Sequence, residues 1–394
     1  MNLVKLNTVC KIINGFAVKS EDYKSKGVPL IRISNFDNGE VIVDDKTIYI
    51  DSQFLVSKSE FIIEKGDILI ALSGATTGKY GIYTYEFPSI LNQRIGLLKS
   101  GKSTSLDGKY FYHYLNILKS EILSKAGGAA QPNISTKAIG DLQIPLPPLE
   151  TQQKIAAILD AADAYRQKTK ALISKYDELT QSLFLDMFGD PVKNEKGWEK
   201  VSLSNYGIFK NGLNFSNNES GVSLKYLGVG DFKSKSRVDD VENLSDIELN
   251  TLPNSGYLLQ DGDLVFVRSN GNKALVGRCV EVYPKNINLT FSGFCIRFRI
   301  TSDLIMSTYL AQLFRNKSFK NLMLDSGQGA NIQNINQQIL SNIDVPLPPK
   351  KLQENFIKKL DLIEQQKVKA QESLEKAEEL FNSLLQKAFN GELV

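Results

Sequence analysis

Short apolar runs separated by turn residues fill the first ~145 residues and return after residue 190. Typical runs are residues 29–33, 41–43 and 67–72, which are bounded by Gly, Asn or Asp. Runs of this length with such flanks predict short β-strands. One helix is predicted at about 107–125 and a second at about 303–324. Both regions are therefore expected to be globular domains of mixed α+β structure.

A Pro-Leu-Pro-Pro element ends each of these regions, at Pro145 to Pro148 and at Pro346 to Pro349. Each proline disfavours helix in the residue before it, so we expect both elements to be extended. The periodicity changes immediately afterwards. No Pro or Gly occurs between residues 149 and 188, and apolar side chains there recur three and four positions apart. A long helix is therefore predicted after each element.

The apolar stripe of each long helix is typical of helices that pair lengthwise. A helix of about 36 residues would span roughly 54 Å. The alternative is that each helix packs only on its own globular domain. The predicted pairing positions are Ile155, Ile158, Ala162, Tyr165, Thr169, Leu172, Tyr176, Leu179 and Leu183 in the first helix, and Phe356, Leu360, Ile363, Lys367, Ala370, Leu374, Ala377, Phe381 and Leu384 in the second.

The chain is a tandem duplication with a repeat of about 195 residues. The Pro-Leu-Pro-Pro element recurs after 201 residues, and residues 64–69 match residues 260–265 at an offset of 196. Two similar halves commonly relate by a pseudo-two-fold, which would make the long helices antiparallel. The predicted fold is mixed α+β, with two similar domains separated by two long antiparallel coiled-coil-like helices. The predicted boundaries are 1–147, 148–189, 190–348 and 349–394.

Composition and charge narrow the class of protein. Of the 394 residues, 42% are apolar and 23% are charged, which is ordinary for a soluble globular protein. The net charge is only +3, so any positive surface for nucleic acid must be gathered on one face. No signal sequence and no run of eighteen apolar residues occurs. We therefore expect a cytoplasmic protein with no membrane partner.

Scarce histidine and cysteine argue against several kinds of active site. His113 is the one histidine, and Cys10, Cys279 and Cys295 form no Cys-x-x-Cys pair. These residues are too few for a closed zinc site, and three scattered cysteines suit a reducing compartment. We expect His113 to be a packed residue of a helix. Neither catalytic nor metal-binding residues are predicted.

Two glycine motifs resemble cofactor loops but lack essential residues. The segment from Ser73 to Tyr80 resembles a P-loop without its first glycine and without the hydroxyl after Lys79. Residues 226–230 resemble an S-adenosylmethionine cradle, yet their counterpart at 30–34 has no glycine. We therefore expect no cofactor on this chain. Two other functions stay open on these residues. One is that of a catalytic methyltransferase or nuclease, and the other is that of a coiled-coil scaffold that does not bind DNA.

The segments around the Pro-Leu-Pro-Pro elements resemble the conserved signature of the specificity subunit of type I restriction-modification systems. The first copy is residues 144–159 and the second is residues 345–354. Residues 387–393, and residues 66–69 running into 73–79, are also typical of that family. Residues 350–352 depart from its usual Leu-x-x-Gln spacing. The resemblance covers essentially the whole chain.

The resemblance implies two target-recognition domains, 1–147 and 190–348, that each read one half of an asymmetric bipartite DNA sequence. It implies that the conserved spacer helices, 148–189 and 349–394, fix the gap and dock two methyltransferase subunits. Restriction/translocase subunits would join the same complex. No catalytic residues are implied for this chain, and S-adenosylmethionine, ATP and magnesium would be bound by the partner subunits.

Three pairs of polar loops are the candidates for contacts to double-stranded DNA. Arg, Lys, Asn and Gln side chains read base edges, whereas Lys, Arg, Ser and Thr also contact phosphates. For any single residue, the alternative is an ordinary solvated loop. The first pair holds Ser73, Thr76, Thr77 and Lys79 with Arg268, Asn270, Asn272 and Lys273; the second holds Gln131, Asn133 and Ser135 with Asn331, Gln333 and Asn334; the third sets Arg94, Lys99 and Lys102 against Arg297 and Arg299.

Overall fold

A computed structural model describes residues 2–37, 39–100, 105–127, 132–216, 218–232, 236–325 and 334–393. The chain forms two compact units. Unit 1 joins residues 1–170 to residues 372–394, and unit 2 comprises residues 171–371. Each unit thus contains one globular region with parts of both long helices. The boundaries proposed from the sequence divide the chain by function and stay a prediction.

Unit 1 is built on two mixed sheets and a small antiparallel pair. The sheet orders are β2-β11-β8-β9-β5-β4, β6-β3-β10-β7 and β1-β12. The strands are β1 Leu3–Lys5, β2 Lys11–Asn14, β3 Val28–Ile31, β4 Phe36–Asp37, β5 Glu40–Val41, β6 Ile48–Ile50, β7 Ile62–Ile63, β8 Ile68–Ala71, β9 Tyr80–Ile82, β10 Ser89–Leu91, β11 Ile95–Lys99 and β12 Gln143–Pro145. The helices are α1 Gln53–Ser57, α2 Gly108–Lys125, α3 Thr136–Gly140 and the first part of α4 Leu149–Phe188.

Unit 2 repeats this arrangement with fewer edge strands. Its sheet orders are β14-β21-β18-β19-β16, β17-β15-β20 and β13-β22. The strands are β13 Glu199–Ser202, β14 Gly207–Asn211, β15 Val222–Leu227, β16 Arg237–Val238, β17 Asp246–Leu249, β18 Asp263–Val267, β19 Cys279–Val282, β20 Leu289–Phe291, β21 Cys295–Ile300 and β22 Asp344–Leu347. The helices are α5 Ser307–Arg315, α6 Lys317–Asp325, α7 Gln337–Ser341 and most of α8 Lys350–Asn390.

The strand order confirms two copies of one mixed α+β fold. The order β2-β11-β8-β9 in unit 1 corresponds to β14-β21-β18-β19 in unit 2, with all of these neighbours antiparallel. The central strands are buried along most of their length, as expected for sheets covered on both faces. In unit 1, α2 packs on this sheet through Tyr110, Phe111 and Leu115.

The single helix predicted at about 303–324 is wrong, because the structure has two helices there. α5 ends at Arg315, and Asn316 adopts an extended backbone with φ −61° and ψ 128°. The Asn316 side-chain oxygen then accepts a hydrogen bond from the Phe319 backbone N–H at 3.2 Å. Asparagine competes for backbone hydrogen bonds in this way and starts a new helix. The copy in unit 1, α2, is continuous from Gly108 to Lys125.

Both Pro-Leu-Pro-Pro elements enter strands, and the same two side chains hold each one. The hydroxyls of Tyr110 and Tyr309 donate to the carbonyl oxygens of Pro145 and Pro346, each at 2.8 Å. Tyr110 and Tyr309 are completely buried, so these bonds satisfy hydroxyls that would otherwise be costly. The extended end of each globular region is thereby fixed to α2 in unit 1 and to α5 in unit 2.

A buried glutamine then joins each long helix to its own globular region. The Gln152 side chain accepts from the Asp107 N–H at 2.8 Å and donates to the carbonyl oxygens of Ser105 and Pro147. Gln353 makes the same set with Met306, Leu304 and Pro348. Both glutamines follow the last proline by four residues. Residues 350–352 therefore differ from the usual Leu-x-x-Gln pattern because Lys350 stands in place of the leucine, and the spacing to the glutamine is unchanged.

The two long helices contact each other within each unit, running in opposite directions there. In unit 1, Ile155 and Leu159 near the start of α4 share a core with Phe381 and Leu385 near the end of α8. In unit 2, Phe184 and Phe188 of α4 share a core with Phe356 and Leu360 of α8. Of the helices described, none is long and apolar enough to cross a membrane.

The predicted stripe describes α8 better than α4. In α8, Phe356, Leu360, Ala370, Ala377 and Phe381 are buried, and Ile363, Leu374 and Leu384 are half-buried. In α4, Ile155 and Thr169 are buried and Ala162, Tyr176 and Leu183 are half-buried.

Four predicted pairing positions of α4 are exposed instead, namely Ile158, Tyr165, Leu172 and Leu179. Beside these positions, Leu159 and Thr180 are buried, and Arg166 and Ile173 are half-buried. From Ile155 the buried face of α4 therefore follows steps of four and then three residues, as the stripe of α8 does from Phe356. The predicted steps of three and then four residues are wrong for α4. The Tyr165 hydroxyl still bonds the Ser373 hydroxyl at 2.8 Å.

Candidate nucleic-acid interface

Three loops of unit 1 converge on an open groove with a volume of about 630 Å³. Backbone hydrogen bonds join them: the Leu72 N–H donates to the Arg94 carbonyl, and the Ile134 N–H donates to the Leu72 carbonyl, both at 2.8 Å. Ser73 also forms a β-bridge with Asn133. The structure thus brings together members of all three predicted loop groups. We call this surface the three-loop face of unit 1, comprising residues 72–79, 92–94 and 132–136.

Arg94 is the most distinctive residue of this face. It is exposed and has a φ of 70°, in the left-handed region that residues other than glycine rarely adopt. Such conformations concentrate at functional sites, where the surrounding structure holds them. Lys79 and Asn133 are also exposed, and Ser73 and Thr76 are half-buried. A guanidinium and an amide therefore line the groove of unit 1, whereas Lys79 lines a separate depression with Tyr80 and Tyr112.

Unit 2 builds the same face with the same backbone bonds. The Arg268 N–H donates to the Phe294 carbonyl at 2.7 Å, and the Ile335 N–H donates to the Arg268 carbonyl at 2.8 Å. Ser269 forms a β-bridge with Asn334, as Ser73 does with Asn133. We call residues 268–273, 292–294 and 334–336 the three-loop face of unit 2. Here Arg268, Ser269 and Asn270 are half-buried, and Asn272, Lys273, Phe294 and Asn334 are exposed.

These bonds correct the predicted pairing of Arg94 with Arg297 and Arg299. The residue of unit 2 that accepts the equivalent backbone bond is Phe294. Sequence reasoning missed Phe294 and Gln93, which also lines the groove of unit 1. The sequence held no clear signal, because residues 89–95 and 289–295 share no identical residue. The equivalent β-bridges of Asn92 and Ser292 align the two segments at an offset of 200.

Lys99 and Arg299 are equivalent, but they stabilise a turn at the other end of their strands. Lys99 lies 3.4 Å from Asp67, and Arg299 contacts both oxygens of Asp263 at 2.8 and 2.7 Å. Each aspartate also accepts a backbone N–H at 2.8 Å, from Glu64 or Gln260. Burial raises the pKa of Asp67, although this backbone bond and Lys99 act in the opposite direction. The aspartates of the two Gly-Asp turns, at residues 66–67 and 262–263, therefore form structural ion pairs outside the three-loop faces.

Arg297 and Thr77 are interior residues. Arg297 is 4% exposed and donates to the Gly256 carbonyl at 3.3 Å. Burial, and then the neighbouring Arg299, lower the pKa of Arg297. The Thr77 hydroxyl is buried within 2.7 and 2.9 Å of the carbonyl oxygens of Gly74 and Pro132. We therefore omit Lys99, Arg299, Arg297 and Thr77 from the candidate interface.

Several other candidates use their oxygen atoms to shape the faces. The Ser135 hydroxyl accepts from the Ala138 N–H at 3.1 Å and caps α3. The Asn270 and Asn272 side-chain oxygens accept N–H groups two residues ahead, at 2.8 and 3.0 Å. Their amide NH₂ groups keep their donor capacity. Lys102, Gln131, Asn331 and Gln333 lie outside the described residues.

The one histidine and the three cysteines are buried in the fold. His113 is 2% exposed on α2, and its Nε2 lies 2.8 Å from an Asp160 carboxylate oxygen. Burial opposes ionisation of Asp160, but hydrogen bonds from Lys109 and His113, with their charges, hold its pKa below the usual value. Burial raises the pKa of Cys10 to about 12. In the described part of the chain, no three His, Cys, Asp or Glu residues cluster as a metal site.

Comparison with known proteins agrees with this architecture. The StySPI specificity subunit of Salmonella potsdam is 28% identical over 419 residues, covering 98% of this chain and 88% of that protein. The EcoKI specificity subunit of Escherichia coli K12 is 28% identical over 429 residues, covering 99% and 89%. The fold resembles the crystal structure of an S subunit from M. genitalium, with a TM-score of 0.56 at 16% identity, covering 98% of this chain and 96% of that chain.

A family model spans both copies of the duplication. The model of the type I restriction modification DNA specificity domain matches residues 1–175 and residues 195–378. These two matches cover well over half of the chain and include both three-loop faces. The chain therefore belongs to the family of type I restriction modification DNA specificity domains.

Proposed function

We propose that this chain selects the DNA site of a type I restriction-modification complex and that each three-loop face reads one half of a bipartite sequence. The observation that carries the proposal is the pair of faces themselves. The same backbone bonds build both, while the side chains differ at Leu72 and Arg268 and at Arg94 and Phe294. Base edges in the major groove are distinguished by side chains of this kind. Two differing faces therefore suit an asymmetric site.

The few basic residues of each face support phosphate binding of moderate strength. Lys79 and Arg94 in unit 1, and Arg268 and Lys273 in unit 2, are basic residues of the faces, and the whole chain carries only +3. If about six phosphates are neutralised, log K falls against log salt with a slope of about −5. Titration of labelled duplex at several salt concentrations measures this slope. A salt-insensitive affinity would contradict the proposal.

We further propose that the long helices fix the gap between half-sites and dock two methyltransferase subunits. Exposed apolar side chains along α4 and α8 support a docking role: Ile158, Leu172, Leu179, Leu362, Val368 and Leu380. Large apolar side chains left exposed along a helix suit contact with another protein. Sizing of the chain mixed with its methyltransferase partner should give a stable complex, and separate elution would argue against this role.

The chemistry of the complex then belongs to its partners. We propose that S-adenosylmethionine, ATP and magnesium are bound by methyltransferase and restriction/translocase subunits, in the cytoplasm. The buried His113 and the raised pKa of Cys10 support a chain without a nucleophile. The purified chain should neither methylate DNA with S-adenosylmethionine nor cleave it with magnesium. Activity of the chain alone would favour a catalytic methyltransferase or nuclease instead.

Genome-wide mapping of methylated bases tests the proposal most broadly. A host with this chain should carry one asymmetric bipartite modified sequence, and deletion of the chain should remove it. An unchanged methylation pattern after deletion would contradict the proposal and favour a scaffold that does not bind DNA. A helix-only deletion that retained the pattern would contradict the docking role alone.

A further inference from the structure

We propose that Phe294 is a specificity-determining residue and that it recognises the C5-methyl group of a thymine in the half-site of unit 2. This inference deepens the proposed function and rests on it. Phe294 is 61% exposed. Among the described residues of unit 2, it is the one aromatic side chain in the set of strongly exposed large apolar residues. A single exposed ring is common in proteins, so its position must carry the argument.

The backbone around Phe294 is held on both sides, so the ring is presented from a fixed support. The Phe294 N–H donates to the Ser292 hydroxyl at 3.2 Å, and its carbonyl accepts from the Arg268 N–H at 2.7 Å. The Gly293 N–H donates to the Leu213 carbonyl at 2.8 Å. A backbone fixed in this way loses little conformational freedom on binding.

A close backbone approach fixes this turn in both units. A Cβ atom at Gly212 would lie 2.0 Å from the Ser292 carbonyl oxygen, and one at Gly15 would lie 1.9 Å from the Asn92 carbonyl oxygen. Only glycine fits either position without moving the turn. The turn that leads into residue 94 or 294 is therefore fixed in the same way, although Arg94 has a φ of 70° and Phe294 does not have a positive φ. The two faces also differ in the side chain that each presents.

The chemistry of the two side chains predicts different readings. A guanidinium such as that of Arg94 pairs with the O6 and N7 acceptors of guanine. A phenyl ring offers no hydrogen bond, and the apolar group that a base pair presents in the major groove is the thymine methyl. Arg268 is bonded to the Phe294 backbone, and Asn334 bridges to Ser269, so donors for neighbouring base edges accompany the ring. An apolar wedge between base steps is the competing use of such a ring.

The test uses the assembled methyltransferase complex and duplexes that carry the mapped site. Each thymine of the half-site read by unit 2 is replaced in turn by uracil, which lacks only the methyl group. We expect one replacement to weaken binding about fourfold, the effect of burying one methyl group. The same replacement should have no effect on a Phe294→Ala complex. In a Phe294→Arg complex, guanine should replace the thymine as the preferred base.

Two outcomes would overturn the inference. One is a half-site for unit 2 without any A·T pair, and the other is Phe294→Ala weakening binding while every uracil replacement is neutral, which indicates a wedge. Ile208→Ala, at another strongly exposed apolar residue of unit 2, is the matched control and should retain the uracil effect. If no bipartite site can be mapped, the proposed function fails first, so the two failures are distinguishable.

Discussion

Unit 1 and unit 2 use equivalent side chains where the long helices meet the globular regions, and different ones where the three loops converge. Tyr110 and Gln152 have the counterparts Tyr309 and Gln353, with the same hydrogen bonds. At the three-loop faces, Arg94 stands where unit 2 has Phe294. In a duplicated chain, shared contacts identify the support and unshared side chains identify what each copy recognises. Three pairs of substitutions sharpen this comparison.

The largest expected effect comes from substituting the aspartate of the Gly-Asp turn. Both units have an ion pair at this turn, and the pair in unit 2 has the shorter contacts. Asp263 is 1% exposed and binds Arg299 through two short contacts, whereas Asp67 lies 3.4 Å from Lys99. Asp263→Asn leaves the Arg299 charge poorly paired and should lower the free energy of unfolding of unit 2 by about 3–5 kcal/mol. Asp67→Asn should cost about 1 kcal/mol, because a more exposed pair contributes less.

Amide hydrogen exchange in strands β8 and β18, which begin at these turns, measures the loss of stability in each unit. Exchange should accelerate more in β18 for Asp263→Asn than in β8 for Asp67→Asn. Equal losses of protection would contradict the difference between the pairs.

The next effect distinguishes the observed buried face of α4, which contains Leu159, from the face predicted from the sequence, which contains Ile158. Leu159 is completely buried, its counterpart in unit 2 is Leu360 at 4% exposure, and Ile158 is 37% exposed. Leu159→Ala should lower the free energy of unfolding by about 3 kcal/mol, and Leu360→Ala by a similar amount. Ile158→Ala should cost less than about 1 kcal/mol, because a surface substitution opens no cavity. Thermal unfolding of the three variants checks this ranking. A larger loss of stability for Ile158→Ala than for Leu159→Ala would support the predicted face instead.

The buried glutamines give the third effect and the closest match between units. Gln152→Leu removes the hydrogen bonds that Gln152 makes with the Asp107 N–H and with the Ser105 and Pro147 carbonyls, which should cost about 2–3 kcal/mol. Gln353→Leu should cost the same in unit 2. Gln153→Leu, at the exposed neighbouring position, is the control and should change stability little. Hydrogen exchange at the starts of α2 and α5 measures both losses, and a large difference between them would contradict an equivalent role.

The sequence predicted those features that repeat with a fixed period. The duplication, the mixed α+β class and the positions of the long helices follow from the repeated segments, from short apolar runs bounded by turn residues, and from apolar residues three and four positions apart. The break at Asn316 was missed, because a cap depends on one side-chain bond and not on periodicity. The displacement of the buried face from Ile158 to Leu159 was missed because both residues are apolar, so steps of three or of four residues from Ile155 fit the sequence equally well.

The candidate interface was predicted by loop and less well by residue. The offset between copies drifts from 196 at the Gly-Asp turn to 201 at the Pro-Leu-Pro-Pro element, so one offset cannot align every loop. Arg94 was therefore matched with the strand residues Arg297 and Arg299, although its counterpart is Phe294. The role of Lys99 depends on Asp67 across the fold, a partner that no local pattern specifies.

Exchange of one recognition domain tests the central claim most directly. Residues 1–147 are replaced by the corresponding domain of a relative whose modified sequence is known, and the methylated bases of the host genome are mapped. The account predicts a hybrid site in which one half changes to that of the relative, while the other half and the gap stay the same. A change in both halves, or in neither, would contradict the claim that each unit reads its own half of the DNA site.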